Sequence, residues 1–104
     1  MRAGMVAVLV ALSAALVTPA GAETINVTID KVAYAPVNIS ARVGDTIEWT
    51  NGDIVAHTST ARDKSFDVMI LPNKTQKFVV KKAGEFDYFC KFHPNMTGKL
   101  TVKP

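Results

Sequence analysis

Apolar and polar residues alternate along most of the chain after residue 23. The interval of two is clear at Ile25, Val27 and Ile29, and again at Ile47 and Trp49. This period is that of β-strands with one buried face, and few stretches show helical spacing. Turn-forming residues separate seven predicted strands, at residues 24–30, 37–41, 45–50, 55–58, 75–81, 85–90 and 99–103. The pattern predicts an all-β fold, a β-sandwich.

The strand predicted at residues 85–90 has two distinct faces. Its alternation puts Phe86, Tyr88 and Cys90 on one face and the intervening residues mostly on the other. We therefore expect Cys90 to point between the sheets. Because Cys90 ends this strand, its sulfur should lie at one pole of the sandwich. The segment through Met96 should then fold back before the last strand starts near Gly98.

The first 22 residues differ in composition from the rest of the chain. Arg2 is followed by an apolar segment at residues 5–17 and by the small residues Ala20-Gly21-Ala22. This order is typical of an export signal, and the apolar segment is shorter than the roughly 20 residues that span a bilayer. No cysteine follows directly to carry a lipid. We expect residues 1–22 to be cleaved, leaving one exported domain at 23–104 without a membrane anchor.

Charge and cysteine content narrow the possible functions. The formal net charge is +3, and the 12 Lys and Arg residues are spread along the chain. The sequence therefore indicates neither a nucleic-acid-binding stripe nor a patch for anionic membranes. Cys90 is the only cysteine, so it has no disulfide partner within the chain. It could be a small buried hydrophobe, it could form an intermolecular disulfide, or it could bind a metal.

The residues around Cys90 favour metal binding. Cys90, His93 and Met96 are spaced at intervals of three, and His57 is the only other histidine. Singly, His57 could be a satisfied strand histidine and Met96 a gap-filler in the core. Together the four residues supply two imidazoles, a thiolate and a weak thioether, which is the ligand set of a blue-copper electron-transfer centre. Zinc fits less well, because Met is a poor zinc ligand.

The number of histidines argues against an enzyme. With His57 and His93 both assigned to one metal, no histidine remains for a second copper site or for a nucleophile–histidine pair. The carboxylates show no pairing pattern beyond that of solvated loops. We expect one copper ion, cycling between Cu(I) and Cu(II), and no catalytic residues.

Three segments carry a resemblance to a known family. Residues 43–51, His57 and residues 88–96 resemble the cupredoxins, and the likeness extends over nearly all of residues 23–104. The interval of two residues between His93 and Met96, with Pro94 after the histidine, is most similar to the amicyanins. The resemblance implies a copper-binding Greek-key sandwich in the bacterial periplasm. Such a protein carries single electrons between a dehydrogenase, methylamine dehydrogenase for amicyanins, and a c-type cytochrome.

Two positions depart from the family pattern. Thr58 stands where family members commonly have an Asn that braces the copper-site loops. Phe92 stands where amicyanins usually have Pro, which restores a backbone N–H near the Cys90 sulfur. A hydrogen bond from Phe92 to that sulfur would favour Cu(I).

The resemblance also implies an exit route for the electron. His93 would reach the surface inside a weakly polar docking patch rimmed by Phe92, Pro94, Asn95 and Met69. Such a patch suits brief encounters with redox partners, and the protein itself is expected to be a monomer. Leu71 is expected in the core.

The alternative function is a periplasmic copper carrier or storage module. Such proteins usually expose clusters of Met or His, and the expected mature chain has only Met69 and Met96.

Overall fold

The computed structural model describes residues 21–104. Nine strands make up its regular structure: β1 Thr24–Ile29, β2 Tyr34–Ala35, β3 Asn38–Arg42, β4 Thr46–Asn51, β5 His57–Ala61, β6 Asp67–Ile70, β7 Thr75–Val79, β8 Gly84–Cys90 and β9 His93–Lys103. The predicted export signal at 1–22 lies almost wholly outside the described residues. No helix among residues 21–104 is long and apolar enough to cross a bilayer.

The strands form two sheets. One has the order β2-β1-β4-β7 and the other β3-β9-β8-β5-β6. The pairs β1–β4 and β3–β9 are parallel, and the remaining neighbours are antiparallel. The prediction of an all-β sandwich is confirmed.

Aromatic side chains fill the space between the sheets. Trp49 of β4 and Tyr88 of β8 come from opposite sheets, and their ring centroids lie 5.8 Å apart. Tyr34 of β2 packs on Tyr88 at 4.7 Å. The alternation of β8 is as expected, because Phe86, Tyr88 and Cys90 are all buried. This core holds the end of β8, and hence Cys90, in a fixed position.

The structure corrects several details of the sequence prediction. It contains two strands that were not predicted, β2 and β6, in addition to the seven that were. The last strand begins at His93 rather than near Gly98, so that only Lys91 and Phe92 connect it to β8. The expectation that Leu71 lies in the core is wrong, because this side chain is 52% exposed.

Gly98 of β9 is required by a close approach of the Tyr88 ring. The two residues are directly opposite each other in the β8–β9 pair. A Cβ atom at position 98 would lie 2.6 Å from the Tyr88 hydroxyl oxygen and would also overlap the ring. An aromatic ring that covers a glycine on the neighbouring strand leaves no room for a side chain there.

We predict that Gly98→Ala destabilises the protein by about 1–3 kcal/mol, because the buried Tyr88 ring must move. Urea unfolding of the metal-free protein measures this without a contribution from metal binding. Thr97→Ala, at the exposed neighbouring position, is the control and should change stability by less than about 0.5 kcal/mol. Equal stability of both variants would contradict the steric argument.

Candidate metal centre

Three donor atoms from different strands converge at one pole of the sandwich. The Sγ of Cys90 lies 3.7 Å from Nδ1 of His57 and 3.7 Å from Nδ1 of His93. All three donor atoms lie within 4.8 Å of one another. His57 is fully buried and His93 is half-buried. The structure therefore brings together three of the four residues that the sequence predicted as ligands.

A tight hairpin creates this arrangement. Cys90 is the last residue of β8 and pairs directly with His93, the first residue of β9, across the two-residue turn Lys91-Phe92. A register irregularity between Phe89 and Cys90 accompanies the turn, and such bulges redirect side chains at sheet ends. The thiol and the imidazole thus face the same space, which was not evident from a spacing of three alone.

Met96, the fourth predicted ligand, follows on the same strand. It is 3% exposed, and it shares the inward face of β9 with Gly98 and Leu100. Its thioether therefore belongs to the interior at the end of the strand that carries His93. This position is consistent with a weak ligand approaching from the protein side.

The donor separations fit a metal ion. With metal–nitrogen and metal–sulfur bonds of about 2.0 and 2.3 Å, the lengths found for zinc, a separation of 3.7 Å subtends about 120° at the metal. That angle is the one of a trigonal plane. Two imidazoles and one thiolate, with a thioether as a weak fourth donor, would suit copper better than zinc.

Asp53 determines which nitrogen of His57 faces the thiol. Its Oδ2 lies 2.8 Å from Nε2 of His57. The pKa of Asp53 is lowered, first by the Val32 N–H and also by His57 and the Lys31 N–H, so the carboxylate is ionised and can only accept. In the neutral ring the proton therefore sits on Nε2, and the lone pair of Nδ1 points at the Cys90 sulfur.

The same carboxylate holds a strained turn. Lys31 and Val32 both have positive φ angles, 53° and 59°, which is unfavourable for a β-branched residue such as Val32. Their N–H groups donate to Oδ1 and Oδ2 of Asp53 at 2.8 and 2.9 Å. Asp53 thus links the turn after β1 to a predicted metal ligand. The sequence showed Asp53 only as part of a turn.

Asn51 organises the loop between β4 and β5. Its side chain is fully buried and its amide donates to the carbonyl oxygens of Val55 and Ile70 at 2.8 and 3.0 Å. Its Oδ1 accepts the Asp53 N–H at 2.8 Å. All side-chain polar atoms of Asn51 are therefore used to fix the loop that leads to His57. The sequence predicted a turn at Asn51-Gly52-Asp53 but not this role of the Asn51 side chain.

The hydrogen bond to the Cys90 sulfur differs from the expected one. The Thr58 N–H donates to Sγ at 3.3 Å. Within residues 21–104, Phe92 does not donate to this sulfur, so the structure does not support the expected Phe92 hydrogen bond. The turn geometry explains the difference. Phe92 is the second residue of the hairpin turn, whereas Thr58 is next to His57 on β5, the strand beside β8 in the same sheet.

Comparison with known proteins decides the family. The sequence profile of the cupredoxin-like domain family matches residues 2–102. The chain belongs to this family.

Similar proteins include several amicyanins. The amicyanin of Paracoccus versutus is 28% identical over 88 residues, which cover 79% of this chain and 67% of that protein. The methylamine utilization protein MauL of Methylorubrum extorquens is 31% identical over 80 residues, covering 73% and 70%. A solved structure of the Cu(I) form of an amicyanin mutant superposes with a TM-score of 0.70 at 29% identity, covering 86% of this chain and 89% of the other.

The predicted cofactor is thereby confirmed. This cupredoxin has copper as its metal, since the family, the Cu(I) structure and the convergence of His57, Cys90 and His93 agree. Family membership also makes it an electron-transfer protein and not an enzyme.

Exposed apolar side chains lie on segments that adjoin the metal-site residues of this cupredoxin. Phe92 is 52% exposed, and Ile54 in the loop before His57 is 88% exposed. Met69 is also exposed, as predicted, and it lies opposite Thr58 in the β5–β6 pair. We call Phe92, Ile54 and Met69, together with Val55 and Leu71, the apolar patch. Ile54 was not predicted as part of this surface, since it lies between the strands predicted at residues 45–50 and 55–58.

We predict that Asp53→Asn lowers copper affinity about 10- to 100-fold, the range found when the partner of a metal-bound histidine is lost. The neutral amide no longer dictates the Nε2–H form of His57. Competition with a chelator measures the affinity. Asp63→Asn is the matched control, because Asp63 interacts with Ser65 in the turn beyond the other end of β5. Equal affinities of the two variants would refute the assigned role.

Proposed function

We propose that this cupredoxin shuttles single electrons in the periplasm between a dehydrogenase-type donor and a c-type cytochrome acceptor. The observation that carries the proposal is the buried Cys90 thiol placed 3.7 Å from the Nδ1 atoms of two histidines. Such a site holds copper in a position prepared by the fold. The names of the similar proteins, amicyanin and a methylamine utilization protein, support an amine dehydrogenase as the donor.

The proposed ligands are Nδ1 of His57, Sγ of Cys90, Nδ1 of His93 and the thioether of Met96. The thiolate and thioether suit Cu(I) and the imidazoles suit Cu(II), so the bound copper can exchange one electron with a partner. The protein contributes rigidity. His57 is fixed by Asp53, Cys90 by the Thr58 N–H, and His93 by its pairing with Cys90. Little rearrangement of these side chains accompanies electron gain or loss.

The proposed docking surface is the apolar patch beside His93. This ligand is the one with a partly exposed ring, whereas His57, Cys90 and Met96 are buried. A partner on the patch would therefore come closest to the copper through His93. The patch is small and apolar, which suits short-lived complexes with redox proteins.

The proposed location rests on the N-terminal sequence. Residues 1–22 have the order of an export signal, and a domain at 23–104 would be released into the periplasm as a monomer. The described strands begin at Thr24, directly after the proposed cleavage point. Mass spectrometry of the protein purified from a periplasmic fraction would identify its first residue.

The second candidate function is a copper carrier or storage module. A carrier must expose its ligands so that an acceptor can take the ion. Here His57 and Cys90 are fully buried and Met96 is 3% exposed, so three of the four proposed ligands are closed to a partner. This burial favours transfer of electrons over transfer of the metal.

The visible spectrum tests the proposal. We predict that Cu(II) produces an intense thiolate-to-copper band, that one electron bleaches it reversibly, and that Cys90→Ala abolishes it. Met69→Leu, at an exposed Met, should keep the band. A carrier would instead release copper to a chelator faster than it exchanges electrons with a c-type cytochrome. A colourless copper complex of the unaltered protein would refute the electron-carrier function.

We predict that Ile54→Ser slows oxidation of the reduced protein by a c-type cytochrome about five-fold or more, because the patch loses its most exposed apolar side chain. Oxidation by hexacyanoferrate, which needs no extended interface, should change much less. Val79→Ser is the matched control, since Val79 pairs with Thr46 at the far end of β4. Equal effects of the two variants with the cytochrome would contradict docking at the patch.

A further inference from the structure

Strand β5 contains an unusual run of buried hydroxyl residues. All five of its residues, His57–Ala61, are buried, and three consecutive ones are Thr58, Ser59 and Thr60. Buried hydroxyls need hydrogen-bond partners. Because side chains alternate along a strand, Thr58 and Thr60 lie on the same face, and their Oγ1 atoms are 2.9 Å apart.

These two hydroxyls connect Lys91 to Asp67. The Lys91 backbone N–H donates to Thr58 Oγ1 at 2.9 Å. At the other end, Thr60 Oγ1 lies 2.8 Å from Asp67 Oδ1. The series closes on itself, since the Lys91 ammonium also lies 2.8 Å from Asp67 Oδ2. We call the series Lys91 N–H, Thr58, Thr60 and Asp67 the threonine brace.

The direction of every hydrogen bond in the brace is determined by Asp67. Its pKa is lowered, first by the Lys91 ammonium and then by the Thr60 hydroxyl, so it is an ionised acceptor. Thr60 must therefore donate to Asp67 and accept from Thr58. Thr58 then donates its proton to Thr60, while a lone pair of its oxygen accepts the Lys91 N–H. Hydrogen bonds aligned in one direction polarise and strengthen one another.

The brace ends beside the proposed copper ligand. Lys91 directly follows Cys90 and starts the two-residue turn to His93. Thr58 contacts this segment twice, because its backbone N–H donates to Cys90 Sγ at 3.3 Å while its side chain accepts from Lys91. A shift of Lys91 away from Thr58 would thus lengthen the hydrogen bond to the sulfur as well.

We propose that Thr58, Thr60 and Asp67 are positioning residues that hold the Cys90–His93 turn against β5 and thereby maintain the Thr58 hydrogen bond to the thiolate. This inference rests on the proposed copper function of Cys90. A hydrogen bond to the thiolate reduces its electron donation and favours Cu(I). Loss of the brace therefore lowers the reduction potential. It also leaves the Thr58 side chain, whose oxygen accepts the Lys91 N–H, without the hydrogen bond that fixes its orientation.

The ion pair between Lys91 and Asp67 is a separate element. Both side chains are about half exposed, at 46% and 53%, and exposed pairs contribute little to stability. Asp67 acts in the brace as the acceptor that orients Thr60. Replacing the Lys91 side chain should therefore leave the brace intact, whereas interrupting the hydroxyls should not.

Three variants separate these roles. Thr60→Val removes the central hydroxyl with little change of volume, Thr60→Ser restores a hydroxyl, and Lys91→Gln removes only the ion pair. Should Thr60→Val fail to fold, Asp67→Ala, at a half-exposed position, removes the final acceptor instead.

The first measurement is amide hydrogen exchange at Lys91 in the metal-free protein. We expect exchange to be about tenfold faster or more in Thr60→Val and in Asp67→Ala, because the Thr58 hydroxyl is no longer oriented as an acceptor. Thr60→Ser and Lys91→Gln should resemble the unaltered protein. Equal protection of Lys91 in all variants would overturn the proposal.

The second measurement is the reduction potential of the copper protein, compared between Thr60→Val and Thr60→Ser, which carry the same charge. We expect a lower potential for Thr60→Val, a shifted thiolate-to-copper band, and recovery of both in Thr60→Ser. Unchanged potentials in proteins that still show the band and reversible reduction would refute the inference while the proposed function stands. Absence of the band in the unaltered protein would refute the proposed function, and the Lys91 exchange rates would still test the brace.

Discussion

The copper site depends on the antiparallel pairing of Cys90 with His93. Only two residues separate β8 from β9, so the backbone hydrogen bonds of the sheet determine how far the thiol lies from the imidazole. The large buried side chains Trp49 and Tyr88 hold β8 in place, and Gly98 lets β9 approach the Tyr88 ring. The distance of 3.7 Å between sulfur and nitrogen is thus a property of the whole sheet. A flexible loop carrying the same residues could not maintain it.

Polar groups around the site fix the directions in which the donor atoms of His57 and Cys90 point. Asp53 selects the Nε2–H form of His57, and Asn51 fixes the loop on which Asp53 and His57 stand. Burial raises the pKa of Tyr34, which stays a phenol and donates to the Thr58 carbonyl, while the Thr58 N–H donates to the sulfur. Each of these groups is satisfied by the protein before any metal binds. An ion that enters finds its donors already oriented, and a change of its oxidation state has few side chains to move.

The sequence predicted the elements whose signal is local. Alternation identified the faces of β8, and the intervals among Cys90, His93 and Met96 predicted a ligand set of which the structure brings Cys90 and His93 together with His57. The short strands β2 and β6 were missed because two to four residues are too few to show a period. Leu71 was wrongly expected in the core and Ile54 was overlooked, because exposed apolar residues look the same in sequence as buried ones. The role of Asp53 depends on a turn 21 residues away, and that of Thr58 on a turn residue 33 positions away, so neither could be predicted from neighbouring positions.

Burial also supports the proposal that the site exchanges electrons rather than ions. Removing copper would require a competing ligand to reach the metal, and His57, Cys90 and Met96 are closed off by the sandwich. The proposed electron route needs no such opening, because it would pass through the half-buried ring of His93 to a partner on the proposed docking surface. The loop that carries Ile54 leads directly to His57, so one segment supplies both a ligand and part of the docking surface. In the proposed complex, this segment would both help to hold the metal and bring a partner close to it.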